Sequence, residues 1–390
     1  MRTFGKWLGR ILLALVVAVV VVGLWKREEI TRLLAVNSLF AEDKIVHNFS
    51  HMDAAFLSKP LSRGDGPTAE LSYGPEYAPP ATVNDWIEAR DVTALVVLKD
   101  GQIVYENYFK GTQPDDLRIS WSVAKSYLSA LVGILLDEAA IESLDDQVTT
   151  YAPKLKGTAY DGATLRNVLN MASGVTFDED YLDPDSDINK MGRALALGGE
   201  LDDFTAGLKD TFTTPGSQWQ YVSIDTHVIG MVVRGATGRS VTELLSEKVI
   251  TPMGLEHAPY YVTDGAGVAF VLGGLNLTTR DYARMGQMFL QNGRYNGQQI
   301  VPAEWVAAST APSAPTAEGQ IGYGYQWWIP QGATEGEFMA RGVYGQYIYI
   351  NRADGVVIAT NAADRKFREA GVSDQNIAIF RQISAALGGT

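Results

Sequence analysis

Residues 123–137 read Val-Ala-Lys-Ser-Tyr-Leu-Ser-Ala-Leu-Val-Gly-Ile-Leu-Leu-Asp, an apolar run carrying small residues and no proline. It is too long for an ordinary strand and suits a helix with almost no polar face. Such a helix is stable only when other elements cover it on all sides, so the rest of the chain has to be organised around it. Ser122 stands at its first turn and Lys125 follows three residues later. Positions i and i+3 share a helix face, so the amine can reach the hydroxyl. A serine hydroxyl is a poor nucleophile until a base takes its proton. A lysine can be that base if burial lowers its pKa, and an apolar helix supplies the burial. The free N–H groups of the helix start suit a developing oxyanion. The plainer reading is that Ser122 is an N-cap. No other Ser-x-x-Lys occurs in the chain.

The wider composition narrows the chemistry. The 390 residues are enough for one large domain or two fused ones. A formal net charge of −13 argues against a nucleic-acid partner, which calls for a basic face. With no cysteine there are no disulfides and no thiolate catalysis. The four histidines form no His-Glu-x-x-His, and Gly-x-Ser-x-Gly is absent, which disfavours a zinc hydrolase and an α/β-hydrolase elbow. No metal and no cofactor are called for.

Arg2, Lys6 and Arg10 precede the unbroken apolar run Ile11–Trp25. A full membrane span needs about 20 residues, which this run approaches if Trp7 to Gly9 join it and Arg10 snorkels. A cleaved signal peptide has an apolar region of this size, but no small-x-small site follows Trp25. The sequence therefore predicts an N-terminal membrane anchor, or alternatively a signal peptide, over residues 1–40. The basic end would be cytoplasmic and the body would lie beyond the inner membrane, secreted if the signal is cleaved. Residues 41–90, rich in Pro and Gly, read as an extended segment, and residues 91–390 as the main domain. His47 and His51 in that segment read as surface polar residues.

Thr93 to Tyr108 is a β-hairpin turning at Asp100-Gly101. Thr164 caps another helix, and residues 178–187 form an acidic loop that contains Asp180 and Tyr181. Pro215-Gly-Ser-Gln-Trp-Gln-Tyr221-Val-Ser223 turns into a helix ended by Gly238, in which His227 reads as a satisfied helix residue. Thr278 or Thr279 caps a helix running through Leu290. A last hairpin, Arg341–Ile350 and Gly355–Thr360, turns at Ala353-Asp-Gly355, and a closing helix spans 374–387. Strands at both ends with helices between predict an α+β fold. One antiparallel sheet is built from both termini, flanked by helices, with a mostly helical subdomain at about 136–265.

Ser122-x-x-Lys125, then Tyr221-x-Ser223, then Tyr344-Gly345-Gln346 resembles, in that order, the serine β-lactamase-like hydrolases. That family includes class C β-lactamases, D,D-peptidases, family VIII-type esterases and 6-aminohexanoate-dimer hydrolases. Leu144-Asp-Asp, Asn167–Gly174, Pro252-Met-Gly-Leu255 and Gly273–Asp281 support the likeness, which covers about Asp91 to Leu387. The resemblance implies a β-lactamase/transpeptidase-like fold and an acyl-enzyme on Ser122, with Lys125 and Tyr221 shuttling its proton. It further implies an oxyanion hole from the backbone N–H groups of Ser122 and Gln346. Tyr181, Ser223, Asn276, Tyr344 and Gly345 would contact a small-molecule ester or amide. The third motif of β-lactamases begins with a cation, and Tyr344 stands there instead, with Arg341 as a possible replacement. Ser223 likewise replaces an amide side chain. Both departures turn the reading toward esters or linear amides. A penicillin-recognising enzyme and a non-catalytic binder of cell-wall peptide are the alternatives. The sequence leaves the oligomeric state open.

Overall fold

The computed structural model describes residues 2–388. The central helix forms as its composition requires: Ala124–Asp137 is helical, and residues 124–135 are all buried. Its two serines do not disturb the core, because each hydroxyl donates to a main-chain carbonyl. Ser126 Oγ bonds Gln326 O at 2.8 Å and Ser129 Oγ bonds Tyr325 O at 2.6 Å. Gly133 permits close packing, since a Cβ there would lie 2.2 Å from the Trp305 ring. A short 3₁₀ turn, Trp121–Val123, leads into the helix. Trp121 takes a left-handed φ of 43°, an uncommon conformation for a bulky residue and one that often marks a functional site.

A seven-stranded sheet stands beside this helix, and all its pairings are antiparallel. As predicted, both chain ends build it. The strand Val92–Lys99 pairs with Gln102–Tyr108 on one side and with Val356–Ala362 on the other, and Gln346–Asn351 and Glu337–Gly342 follow outward. Behind the sheet, the closing helix Val372–Gly388 and the helix Ala81–Ala89 form a second core with Trp86, Tyr347, Phe380 and Ile383. Trp86 Nε1 donates to Asn376 Oδ1 at 2.8 Å, tying the two helices together. In front, the helix Thr279–Leu290 packs so tightly that a Cβ on Gly286 would approach Val357 to 2.4 Å. Its cap is Thr278, whose hydroxyl accepts from Asp281 N.

The helical subdomain runs from Val148–Tyr151 to Thr251–Met253. Capping boxes at Thr164/Asn167 and Ser240/Glu243 start two of its helices. Its main helix, Ser223–Thr237, is buried from Ser223 to Val233 and ends at Gly238, φ 66°. Inside it, His227 Nε2 lies 2.8 Å from Asp202 Oδ1, a structural pairing.

Residues 41–90 are more than a wrapping segment. Phe49 and Met52 enter the main core, Leu57–Pro60 pairs with Tyr260–Thr263 in a separate four-stranded sheet, and Ala81–Ala89 is a helix of the main domain. Proline and glycine spacing hid these short elements. His47 and His51 stack with centroids 4.0 Å apart.

The apolar N-terminal run is helical over Arg2–Trp25, with exposed side chains along it, and a second helix spans Arg27–Asn37. Among the described residues no single helix is long and apolar enough to cross a membrane. Gly9–Trp25 and Ile30–Asn37 reach that length and composition together, but are bent by 73°.

Candidate active site

Three elements converge on Ser122: the turn that carries it, the segment before the helix Ser223–Thr237, and the end of the strand Glu337–Gly342. Lys125, one helical turn on, donates from Nζ to Ser122 Oγ at 3.2 Å and to Leu272 O at 2.6 Å. The amine is wholly buried. Burial lowers its pKa to about 7, against the opposing charges of Glu179 and Asp225. Burial therefore favours the neutral, proton-accepting form of Lys125 relative to a solvated lysine.

Tyr221 lies across the same hydroxyl. Its ring stacks on Trp328 with centroids 5.2 Å apart, and Lys125 Nζ is 5.6 Å from its centre. Burial, followed by the charge of Glu179, raises its pKa, while hydrogen bonding to Ser122 and Ser223 acts in the opposite direction. Tyr221 is thus held as the neutral phenol.

Glu179 is a site residue that sequence reasoning missed. It accepts a hydrogen bond from the Ser223 N–H at the start of a helix whose N-cap, Val222, has no side-chain acceptor. Burial raises its pKa, opposed by the Ser223 N–H and by Lys125. In an acidic loop it reads as one more solvated carboxylate. Only the fold turns it inward.

Two cavities meet at Ser122. One, of about 400 Å³, is bordered by Tyr221, Glu179, Trp328, Arg341 and Arg368. The other, of about 590 Å³, is largely apolar, and Tyr181 and Val343 border both. Tyr181 forms part of the wall that both cavities share, and Ser223 borders the apolar cavity.

The third motif sits differently from the sequence expectation. Gly342 pairs with Gln346, so residues 343–345 are a tight turn rather than a strand, with Tyr344 at φ 60° and Gly345 at φ 89°. The Gln346 side chain is fully buried. It ties the turn to its neighbour strand, donating to Ala362 O at 2.8 Å and accepting from Asn361 Nδ2 at 3.0 Å. Gln346 borders neither cavity. The residues that face Ser122 lie where the strand enters the turn: a Cβ on Gly342 would lie 3.1 Å from Ser122 N, and Val343 follows at the cavity wall. Among the described residues, neither the Ser122 nor the Val343 N–H donates to a carbonyl outside its own turn. Val343, and not Gln346, thus lines the cavity beside Ser122.

Tyr344 also turns away. Its ring stacks on Phe40 at 5.1 Å and packs against Phe49, Trp121 and Phe367, outside both cavity walls. Of the two arginines at the smaller cavity, Arg368 pairs with Asp180, whereas Arg341, its guanidinium 5.4 Å from the Trp328 ring centre, makes no ion pair among the described residues. Gly345 is required by its turn, and a Cβ there would meet Ala362 at 2.8 Å. Asn276 is fully buried, donates to Gly274 O at 2.9 Å and borders neither cavity. The positions of Tyr344, Gly345 and Gln346 follow from strand register, which the short phrase around Gly345 does not encode.

A buried Ser–Lys pair with a tyrosine beside it is the equipment of a serine hydrolase. The comparisons agree. The profile of the family described as Beta-lactamase matches residues 83–380, and the chain belongs to that family. It is 31% identical over 287 residues to a 6-aminohexanoate-dimer hydrolase of Paenarthrobacter ureafaciens, covering 70% of this chain and 73% of that protein. A D-aminopeptidase of Brucella anthropi is 28% identical over 174 residues, or 42% of this chain and 32% of that one. Among solved structures, a Bacillus anthracis protein provisionally named as a 6-aminohexanoate-dimer hydrolase superposes with a TM-score of 0.78. It is 26% identical, over 90% of this chain and 96% of that one. The protein is a hydrolase of the β-lactamase family.

Proposed function

We propose that the protein cleaves carboxylic esters or linear amides through an acyl-enzyme on Ser122. The observation that carries this is the 3.2 Å contact between Ser122 Oγ and an amine whose pKa burial lowers to about 7. Lys125 takes the Ser122 proton as Oγ attacks the carbonyl carbon. The N–H groups of Ser122 and Val343 hold the oxyanion, each such donor contributing roughly 3–4 kcal/mol in comparable sites. Tyr221 gives its proton to the leaving oxygen or nitrogen and recovers one from Lys125 as the carbon–heteroatom bond breaks. Water then attacks the ester of Ser122, with the same groups moving the proton in reverse. Proton transfer of this kind contributes about 10²–10⁴ in rate.

A second reading, a β-lactamase or D,D-carboxypeptidase, draws support from Arg341, an unpaired cation at the cavity that suits a substrate carboxylate. Its guanidinium lies over Trp328, and Glu179 and Glu369 share the same cavity with it and Arg368, so an anionic substrate also meets carboxylates of its own sign there. Comparing kcat/KM for p-nitrophenyl esters with that for nitrocefin and a D-Ala-D-Ala peptide separates the readings. The esters should be faster by at least tenfold. Nitrocefin equal to or ahead of them would hand the assignment to the β-lactamase reading.

We also propose that the N-terminal helix anchors the protein in the inner membrane with its catalytic body outside the cytoplasm, the alternative being secretion after signal cleavage. The exposed apolar side chains of residues 11–25 behind a basic start support this. Fractionated cells should yield the full-length chain in the membrane pellet, resistant to high salt. Full-length protein in the cytosolic supernatant would overturn it.

A further inference from the structure

The two cavities that meet at Ser122 differ in chemistry, and the position of the proton donor says what each receives. A general acid must reach the leaving atom. Tyr221 borders the smaller cavity and not the larger, so the leaving group departs through the polar side, past Arg341 and Arg368. The acyl group therefore extends into the other cavity, of about 590 Å³. Its wall is built from Phe56, Ile119, Met191, Leu195, Phe270 and Leu272, none more than 9% exposed. The one charged lining residue is Arg193, and its guanidinium is held by Pro184 O at 2.5 Å. The mouth is apolar too: Phe40 and Leu182 line it while remaining 41% and 79% exposed.

We infer that this cavity is an acyl-chain chamber, so that the substrate is an ester or amide of a medium-chain fatty acid with a polar leaving group. The inference rests on the acyl-enzyme reading above and adds the class of acyl donor. An acetyl or butyryl group would leave most of the chamber without partner atoms, whereas an alkyl chain exchanges water for apolar wall along its length. Val36 lies in the second N-terminal helix and Leu39 and Phe40 just after it, so the chamber is complete only in the full chain.

The test uses the full-length protein and p-nitrophenyl acetate, butyrate, octanoate and decanoate, each kept below its micelle-forming concentration. A fully buried methylene is worth roughly fourfold in kcat/KM, so octanoate should exceed butyrate by at least tenfold. Gly192 supplies the specific control. It lies within the helix Asp187–Ala196 at the chamber wall, and a Cβ built there meets no atom within 4 Å, so larger side chains enter open space. Gly192→Trp should lower the octanoate-to-acetate ratio of kcat/KM at least tenfold. Gly192→Leu, a smaller change on a helix that favours leucine over glycine, should lower it in the same direction. A small fluorophosphonate that labels Ser122 reports the acyl-enzyme reading separately. Labelling with acetate or butyrate preferred, or with the ratio unchanged in both variants, overturns the acyl chamber and leaves the hydrolase standing. No labelling and no ester hydrolysis overturns both.

Discussion

Lys125→Ala should lower kcat/KM on ester substrates by about 10²–10⁴ and match the loss in Ser122→Ala, with the fold retained. The two act as one unit, so the double variant should be little worse than either single one. Were Lys125 an ordinary helix residue, its removal would leave turnover unchanged. In the wild type, kcat/KM should fall as pH drops through about 7, where Lys125 takes up its proton and ceases to be a base. Loss at high pH should be absent until well above 10, because burial raises the Tyr221 pKa beyond its ordinary value. The stability sign is also defined. The folded pKa lies below the unfolded one, so the unfolded chain binds the extra proton between about 7 and 10.5. This group's contribution to stability therefore rises with pH through that window and is at its worst below 7. Lys125→Met, apolar and of similar length, should raise the melting temperature at pH 7 while abolishing turnover. Thermal melts and initial rates on the same samples check both statements.

Gly342→Ala should cost about 10²–10³ in kcat, comparable to deleting one oxyanion donor. The new Cβ would lie 2.6 Å from Ser120 O and 3.1 Å from Ser122 N. Both neighbours are main chain, so no side chain can swing aside. The end of the strand Glu337–Gly342 has to draw back from the nucleophile turn, and the Val343 N–H moves with it. Gln346 then becomes informative, because its side chain bonds to the Val343, Tyr344 and Ala362 carbonyls and fixes the turn. Its own effect on rate should be felt through the position of Val343. If Gly342→Ala keeps near-normal kcat with a native near-ultraviolet spectrum, Val343 is not an oxyanion donor.

What the sequence made legible was local. The i, i+3 spacing of Ser122 and Lys125, the Asp100-Gly101 turn and the Thr164 and Thr278 caps are short-range regularities, and each stands in the structure as read. What it concealed depended on long-range pairing. The turn at 343–345 exists because Gly342 pairs with Gln346, and that pairing places Arg341, Gly342 and Val343 beside Ser122. Glu179 was hidden for a related reason: an acidic loop reads as solvated, and its inward turn depends on the uncapped helix start at Ser223. The apolar cavity draws its wall from residues 36–56, 182–195 and 262–273, which no single stretch of sequence brings together.

In the proposed reaction Ser122 is the residue that becomes acylated. Peptide mass spectrometry of the protein after brief exposure to a small fluorophosphonate tests this directly. One adduct should appear, on the peptide that carries Ser122, at a rate that falls as pH drops through about 7, and it should be missing from Ser122→Ala. An adduct on a different serine, or an unmodified Ser122 in protein that hydrolyses esters, would contradict it.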